Sequence, residues 1–174
     1  MSTIKPKVWY VIYTRSRAEK KVLADLTEQG ITCFIPMQKR LRQWKDRKKI
    51  VEMPLLPGYC FVYINRIDYD RVLHTNNVVS YVIFEKKAAV VPEIQIEQIK
   101  KIVEQTVFPV TVSFENFIPG QKAEIIAPPL TGITGILIKP HGKDRFIVRI
   151  DAISLNCMLD IHADDIVLIS PDKK

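Results

Sequence analysis

The hydrophobic period of this chain changes once, near residue 107, and that change limits the folds open to it. Before it, short β-forming runs alternate with segments of helical spacing. After it, only short strands and turn residues remain, which excludes one repetitive architecture. With 174 residues, 47% of them hydrophobic, the chain can form one medium domain or two small ones, each with its own core.

The first part reads as a mixed fold. Trp9-Tyr10-Val11-Ile12-Tyr13 is an aromatic and β-branched run, a buried strand. Residues 16–29 carry Ala18, Val22 and Leu26 at spacing four with Leu23 beside them, a helix that Gly30 stops. Residues 32–35 predict a strand ended by Pro36, and residues 59–64 a strand apolar on both faces. Residues 68–77 predict a short helix with Asp68 as N-cap, and residues 78–84 are β-forming. Val90-Val91-Pro92 opens a last helix whose buried stripe is Ile99, Ile102 and Val103. The order β-α-β-β-β-α-β-α implies an α+β sandwich with an antiparallel-rich sheet.

Residues 107–116 hold no helical period and contain Pro109, so they read as a linker between a domain of residues 1–106 and one of residues 117–174. In the second domain, strands are predicted at residues 122–126, 135–139, 145–150, 155–160 and 165–169. Pro128-Pro129, Gly132, His141-Gly142 and Ala163-Asp164 separate them, a pattern that suits a small five-stranded β-barrel.

Charge follows the same division. Residues 1–106 hold 19 Lys and Arg against 11 Asp and Glu, a balance of +8, while residues 107–174 hold 7 against 8, a balance of −1. A basic module is an electrostatic footprint for a phosphate-rich partner, and a solvated surface is the bland alternative. Arg15, Arg17, Lys20 and Lys21 gather at the start of the first helix, where cations oppose the helix dipole, so stability does not explain them. Seven of the eleven residues 39–49 are basic, and Trp44 interrupts them. This stretch reads as a long exposed hairpin tip, with Arg42, Trp44 and Lys45 as candidates for nucleic-acid or polymerase contact and a merely solubilising hairpin as the alternative.

Enzyme chemistry has no local signature here. His74, His141 and His162 lie apart from one another and from any Cys, and no C-x-x-C, H-E-x-x-H, phosphate loop or G-x-S-x-G occurs. His162 with Asp164 and Asp165 reads as a polar turn rather than a metal seat. The chain is therefore expected to be nonenzymatic, with no cofactor and no metal. Three scattered cysteines form no disulfide framework, no apolar run approaches the roughly 18 residues of a membrane span, and Met1 to Lys7 lacks a secretion signal. A cytoplasmic monomer without membrane contact is the expectation.

Two motifs now point to a family. Trp9-Tyr10-Val11 with its following helix, then Pro54-Leu55-Leu56-Pro57-Gly58-Tyr59-Cys60-Phe61-Val62, resemble the N-terminal domain of NusG-type transcription elongation factors, with its Trp-Tyr strand and P-L-F-P-G-Y-x-F-V segment. Gly120-Gln121-Lys122-Ala123 and Leu130-Thr131-Gly132-Ile133-Thr134-Gly135-Ile136 resemble that family's C-terminal KOW barrel. The resemblance spans nearly the whole chain. Thr32-Cys33-Phe34-Ile35-Pro36-Met37 and Ala89-Val90-Val91-Pro92 look more like the specialised RfaH-like paralogues, among them regulators of long biosynthetic operons.

What the resemblance implies is an operon-specific antitermination factor. It would bind the clamp helices of RNA polymerase and the nontemplate DNA strand, and so suppress pausing and termination. Carried onto this sequence, the clamp-facing positions are Tyr10, Leu56, Pro57, Tyr59, Phe61 and Phe84, and the opposite pincer would meet Asp68, Tyr69, Asp70 and Arg71. The DNA-facing positions are Arg15, Arg17, Lys20, Lys21, Asn76 and Asn77. The barrel would recruit the termination factor Rho or a small-subunit ribosomal protein. Asp151 stands where an aromatic residue commonly makes that contact, which implies weakened Rho binding, with Ile153 and Leu155 as substitutes. Four glycines from Gly120 onward and Pro128, Pro129 and Pro140 favour a stable barrel over a helical hairpin. The other reading is an RNA-binding or ribosome-associated KOW protein, which has no reason for the Trp-Tyr strand and P-L-L-P-G-Y segment.

Overall fold

The computed structural model describes residues 5–105, 108–115, 120–138 and 145–170. The chain divides into two compact units, Met1–Ile96 and Glu97–Lys174. The expected domain limits at residues 106, 107, 116 and 117, the start Met1 to Ile4, and the expected turn at His141-Gly142 lie outside the described residues.

The first unit is built on β1 (Val8–Thr14), whose Val11 and Ile12 are fully buried. One edge of β1 pairs antiparallel with β5 (Tyr59–Ile64), which pairs in turn with β2 (Thr32–Phe34). β6 (Val78–Tyr81) and β9 (Val90–Val91) also pair antiparallel with β1. Helix α1 (Glu19–Glu28) lays Val22 and Leu26 on one face of this sheet, in a core with Ile12, Cys60, Val62, Ile64 and Val72. Burying each such aliphatic side chain contributes roughly 1.5–3 kcal/mol.

Gly30 ends α1 as expected, at φ +73°. Its N–H donates to Thr27 O and that of Ile31 to Leu26 O, a Schellman closure in which Ile31 and Leu26 share the same core. The helix begins at Glu19 rather than Ser16, because Arg17 sits at φ +63°, outside helical backbone.

Helix α2 is only Tyr69–Leu73, shorter than the expected 68–77, and Asp68 makes no side-chain cap. Asn65 turns the chain instead, its Oδ1 accepting from the N–H groups of Ile67 (2.9 Å) and Asp68 (3.3 Å). The expected single strand at residues 78–84 breaks after Tyr81. Ile83–Phe84 (β7) and Lys87–Ala88 (β8) form a small hairpin across Glu85 and Lys86, both at positive φ. Residues 37–54 form a separate two-stranded arm, β3 (Met37–Gln43) and β4 (Lys48–Pro54). Helix α3 (Glu93–Glu104) follows Pro92 and buries Ile96, Ile99 and Ile102, while Val103 is half-buried.

The second unit is a sheet of order β10-β14-β13-β12-β11-β15. Its strands are β10 (Val110–Ser113), β11 (Gln121–Ile125), β12 (Thr134–Ile138), β13 (Arg145–Ile150), β14 (Leu155–Leu159) and β15 (Ile166–Leu168). All five expected strands form, and β10 is a sixth from within the stretch expected to be a linker. Its alternating Val110 and Val112 pair with Leu159 and Cys157 of β14, so Pro109 precedes a strand rather than preventing one. A Cβ on Gly135 would lie 2.3 Å from Ile147 O, so only glycine fits where β12 crosses β13.

Asn156, almost wholly buried on β14, fixes the end of β10. Its Nδ2 donates to Ser113 O (3.2 Å) and Glu115 O (2.9 Å). Asn156→Ala leaves both carbonyls without this donor and is expected to cost about 1–3 kcal/mol. Chemical denaturation reads that loss, and amide exchange should accelerate first at Val110–Ser113.

Candidate functional site

The site residues are placed by the antiparallel register of β1 on β5: Trp9 faces Tyr63, Val11 faces Phe61 and Tyr13 faces Tyr59. Period-two alternation puts these six side chains on the same face of the sheet. Trp9, Val11 and Phe61 are buried, but the row opens at its end, where Tyr13 is 37% exposed and Tyr59 half-exposed. The Tyr13 and Tyr59 rings lie 5.0 Å apart and tilted by 58°. Burial, then the hydrogen bond and charge of Tyr13, push the Tyr59 hydroxyl up to about 12, so it stays neutral near pH 7.

A type II turn delivers Tyr59. Pro57 and Gly58 occupy its centre, Gly58 at φ +81°, and Tyr59 N–H donates to Leu56 O (3.3 Å). The buried carboxylate of Glu19, in the first turn of α1, accepts from Gly58 N–H at 2.8 Å, while Gly58 O accepts from Thr14 N–H at 2.8 Å. The Pro-Leu-Leu-Pro-Gly-Tyr segment is thus clamped between helix and strand.

This geometry divides the expected clamp-facing set by exposure. Tyr10 lies on the opposite face, its ring edge-on to Tyr69 (5.8 Å) and Tyr81 (5.7 Å). Leu56 and Phe61 are core residues, 1% and 0% exposed, and present no side chain. Pro57 and Tyr59 are accessible, as are Phe84 and Ile83 on the β7–β8 hairpin. Tyr13 is an exposed member of the same row that the sequence reading did not name. Counting by two from Trp9, instead of taking the Trp-Tyr pair as a unit, would have found it.

Asp68, Tyr69, Asp70 and Arg71 are brought to the start of α2, but most already have work to do. Arg71 pairs with Asp68 (3.1 Å) and donates to Gln29 O, tying α2 to the end of α1. Tyr69 stacks on Tyr81 at 3.8 Å, with the Arg66 guanidinium 4.1 Å over its ring. Asp70 is exposed.

The DNA-facing candidates converge from two segments. Arg15 and Arg17 occupy the turn before α1, and Arg15 N–H donates to Asn77 O (2.9 Å), bringing that turn against Asn76 and Asn77. Arg15, Arg17, Lys20, Lys21 and Asn76 are exposed and Asn77 is half-buried. Arg17 and Asn77 both hold positive φ, a strained backbone for Arg that the fold maintains. Lys20 pairs with Glu52 at 3.3 Å. Arg42, Trp44 and Lys45 are exposed on the β3–β4 arm.

In the second unit, Leu155 is fully buried and Ile153 is 8% exposed, so neither substitutes for a surface aromatic. Their place in the chain, after β13, suggested exposure, but a 3-10 turn at Asp151–Ile153 folds Ile153 inward. Asp151 is exposed and paired with Arg149 (2.9 Å). Among the described residues, the open apolar positions of this unit are instead Phe114, Ile126, Val167 and Leu168. No group of three or more His, Cys, Asp and Glu able to hold a metal occurs among the described residues. Among them, no helix is long and apolar enough to cross a membrane.

Cys33 on β2 is the one thiol with a lowered pKa, drawn to about 7 first by the Cys60 thiol and then by Thr27, against the opposing effect of burial. The hydrogen bond with Cys33 and then burial raise Cys60, and burial alone lifts Cys157 to about 12. Iodoacetamide is therefore expected to modify Cys33 in the folded protein, with a rate midpoint near pH 7, and to spare Cys60 and Cys157. Mass spectrometry of the labelled peptides across pH 5–9 checks this.

A family model described as NusG, transcription termination factor, matches residues 7–100. A solved structure described as "Domain interaction in Thermotoga maritima NusG" is 23% identical, with 94% of this chain and 98% of that chain covered and a TM-score of 0.53, a likeness of fold. A structure of an MjSpt4:Spt5 complex covers 93% of this chain and 98% of its own at 15% identity. Its TM-score of 0.32 supports no argument.

Proposed function

The chain belongs to the NusG family of transcription factors, and from that premise we propose that it is an RfaH-like, operon-specific antitermination factor acting on RNA polymerase in the cytoplasm. It binds the clamp helices of the largest subunit and the nontemplate DNA strand, and so suppresses pausing and termination. The observation that carries this reading is the open end of the aromatic row. Tyr59, delivered by a clamped turn, and Tyr13 beside it on β1 present a mostly apolar surface, as a helical partner requires. Pro57 precedes Tyr59 in the same turn, and the Ile83–Phe84 strand supplies a second apolar contact.

Arg15, Arg17, Lys21 and Asn76 hold the nontemplate strand. Their exposure and the strained Arg17 support a ligand role, since nothing in the folding of α1 needs them. Asp70 reaches the opposite pincer. The chain acts as a monomer whose first domain binds polymerase and whose second domain, with β10 as part of its sheet, recruits a partner. The recruiting domain takes a ribosomal protein through Ile126, Val167 and Leu168 and binds Rho weakly, because Asp151 offers a charge where an aromatic contact belongs.

Single-round transcription with cognate RNA polymerase tests this reading. On a template carrying the upstream leader of its own operon, a strong pause and a Rho-dependent terminator, the protein should shorten the pause and raise read-through. Tyr59→Ala should abolish both effects, and Arg17→Ala should weaken recruitment while leaving the fold intact. No effect on such a template overturns the proposal.

A further inference from the structure

Among the described residues the β3–β4 arm pairs with no other strand, and every residue from Lys39 to Ile50 is exposed. It has no core of its own, so its sequence answers to something outside the fold. Its register resolves two unlike faces. Arg40 lies opposite Val51, Arg42 opposite Lys49, and beyond them Trp44 N–H donates to Arg47 O (2.8 Å) at the tip. Alternation puts Arg40, Arg42, Trp44, Arg47 and Lys49 on one side of the ribbon. The other side holds Lys39 opposite Glu52, Leu41 opposite Ile50 and Gln43 opposite Lys48.

The Lys20–Glu52 pair identifies the second side as the one turned toward α1. The first side is turned away from it. There, like charges stand directly across from each other at Arg42 and Lys49, an arrangement that destabilises a strand pair. No acid on that side offsets them. A 57%-exposed indole at the end of this cationic ladder is a further cost in water. Both costs vanish against a polyanion that also offers aromatic faces.

We infer that this side of the arm is a separate binding surface for single-stranded nucleic acid. Arg40, Arg42, Arg47 and Lys49 hold successive phosphates, and Trp44 stacks on an unpaired base. This side carries no Asn, Ser or Thr near the tip, so binding is tolerant of sequence and of the sugar. The surface is distinct from the nontemplate-strand contact proposed above, and its test needs no polymerase. Lys45, expected from the sequence to share this contact, lies in the bend and outside the ladder.

The full chain reports on itself, because Trp9 is buried and Trp44 exposed, so a stacking base quenches mainly Trp44. Titration with a twelve-nucleotide oligo(dT), oligo(rU) or mixed-sequence duplex, followed by tryptophan fluorescence and by anisotropy of a labelled strand, gives the readout. The two single strands should quench alike, and the duplex should bind about tenfold more weakly without quenching. Four phosphate contacts give a plot of log K against log salt with a slope of about −3. Trp44→Leu should weaken binding about tenfold at an unchanged salt slope. Arg42→Ala with Lys49→Ala should flatten the slope by about 1.4. Lys39→Ala with Lys48→Ala, on the other side, should change it less. Thermal melting of each variant should not fall below the parent, since no core is touched and Arg42→Ala with Lys49→Ala removes a like-charge pair. Equal binding by Trp44→Leu, preference for duplex, or equal effects from the two sides would each overturn the inference. Tyr59→Ala should leave oligonucleotide binding intact, so this surface and the clamp reading fail independently.

Discussion

Hydrogen bonding between Val8–Thr14 and Tyr59–Ile64 is the interaction on which the first unit depends. β1 is paired on both edges, so a change in its register would move every aromatic side chain from one face to the other. The register is held at one end by the turn at Pro57-Gly58. That turn is fixed in its turn by a single buried carboxylate, Glu19, which reaches from α1 to the Gly58 amide. Helix, turn and strand pair are therefore one assembly. The exposed ends of Tyr13 and Tyr59 are its product: rings whose bodies are anchored in a packed row and whose edges reach solvent.

The second unit solves a related problem with different means. β10 and β15 are the ends of its sheet, and an unprotected edge strand invites other chains. Asn156 secures the end of β10 through two backbone carbonyls. The other end leaves Val167 and Leu168 exposed, and Phe114, just past β10, is exposed as well.

Most of the fold was legible because its signals are local. The spacing of Val22 and Leu26, the Gly30 stop and the β-branched run at 145–150 each settle their own element. β10 was not legible, since four residues of Val-Thr-Val-Ser next to a proline become a strand only when β14 is there to receive them. The same limit explains the site. Tyr10 and Tyr13 have equal local claims to exposure, and only pairing with β5 and packing with Tyr69 and Tyr81 separates them. Leu56, Phe61, Ile153 and Leu155 share the residue types of contact surfaces and cores alike, and burial alone decides between those. The basic arm was visible from composition, but its division into two faces needed the register.

The central claim is that the open end of the aromatic row, and not the opposite face of the sheet, meets RNA polymerase. Site-specific photocrosslinking tests this most directly, with a benzophenone amino acid replacing Tyr59 in one variant and Tyr10 in another, each bound to cognate transcription complexes. The account predicts crosslinks from position 59 to the clamp helices of the largest subunit and none from position 10. Crosslinks from position 10 alone would contradict it.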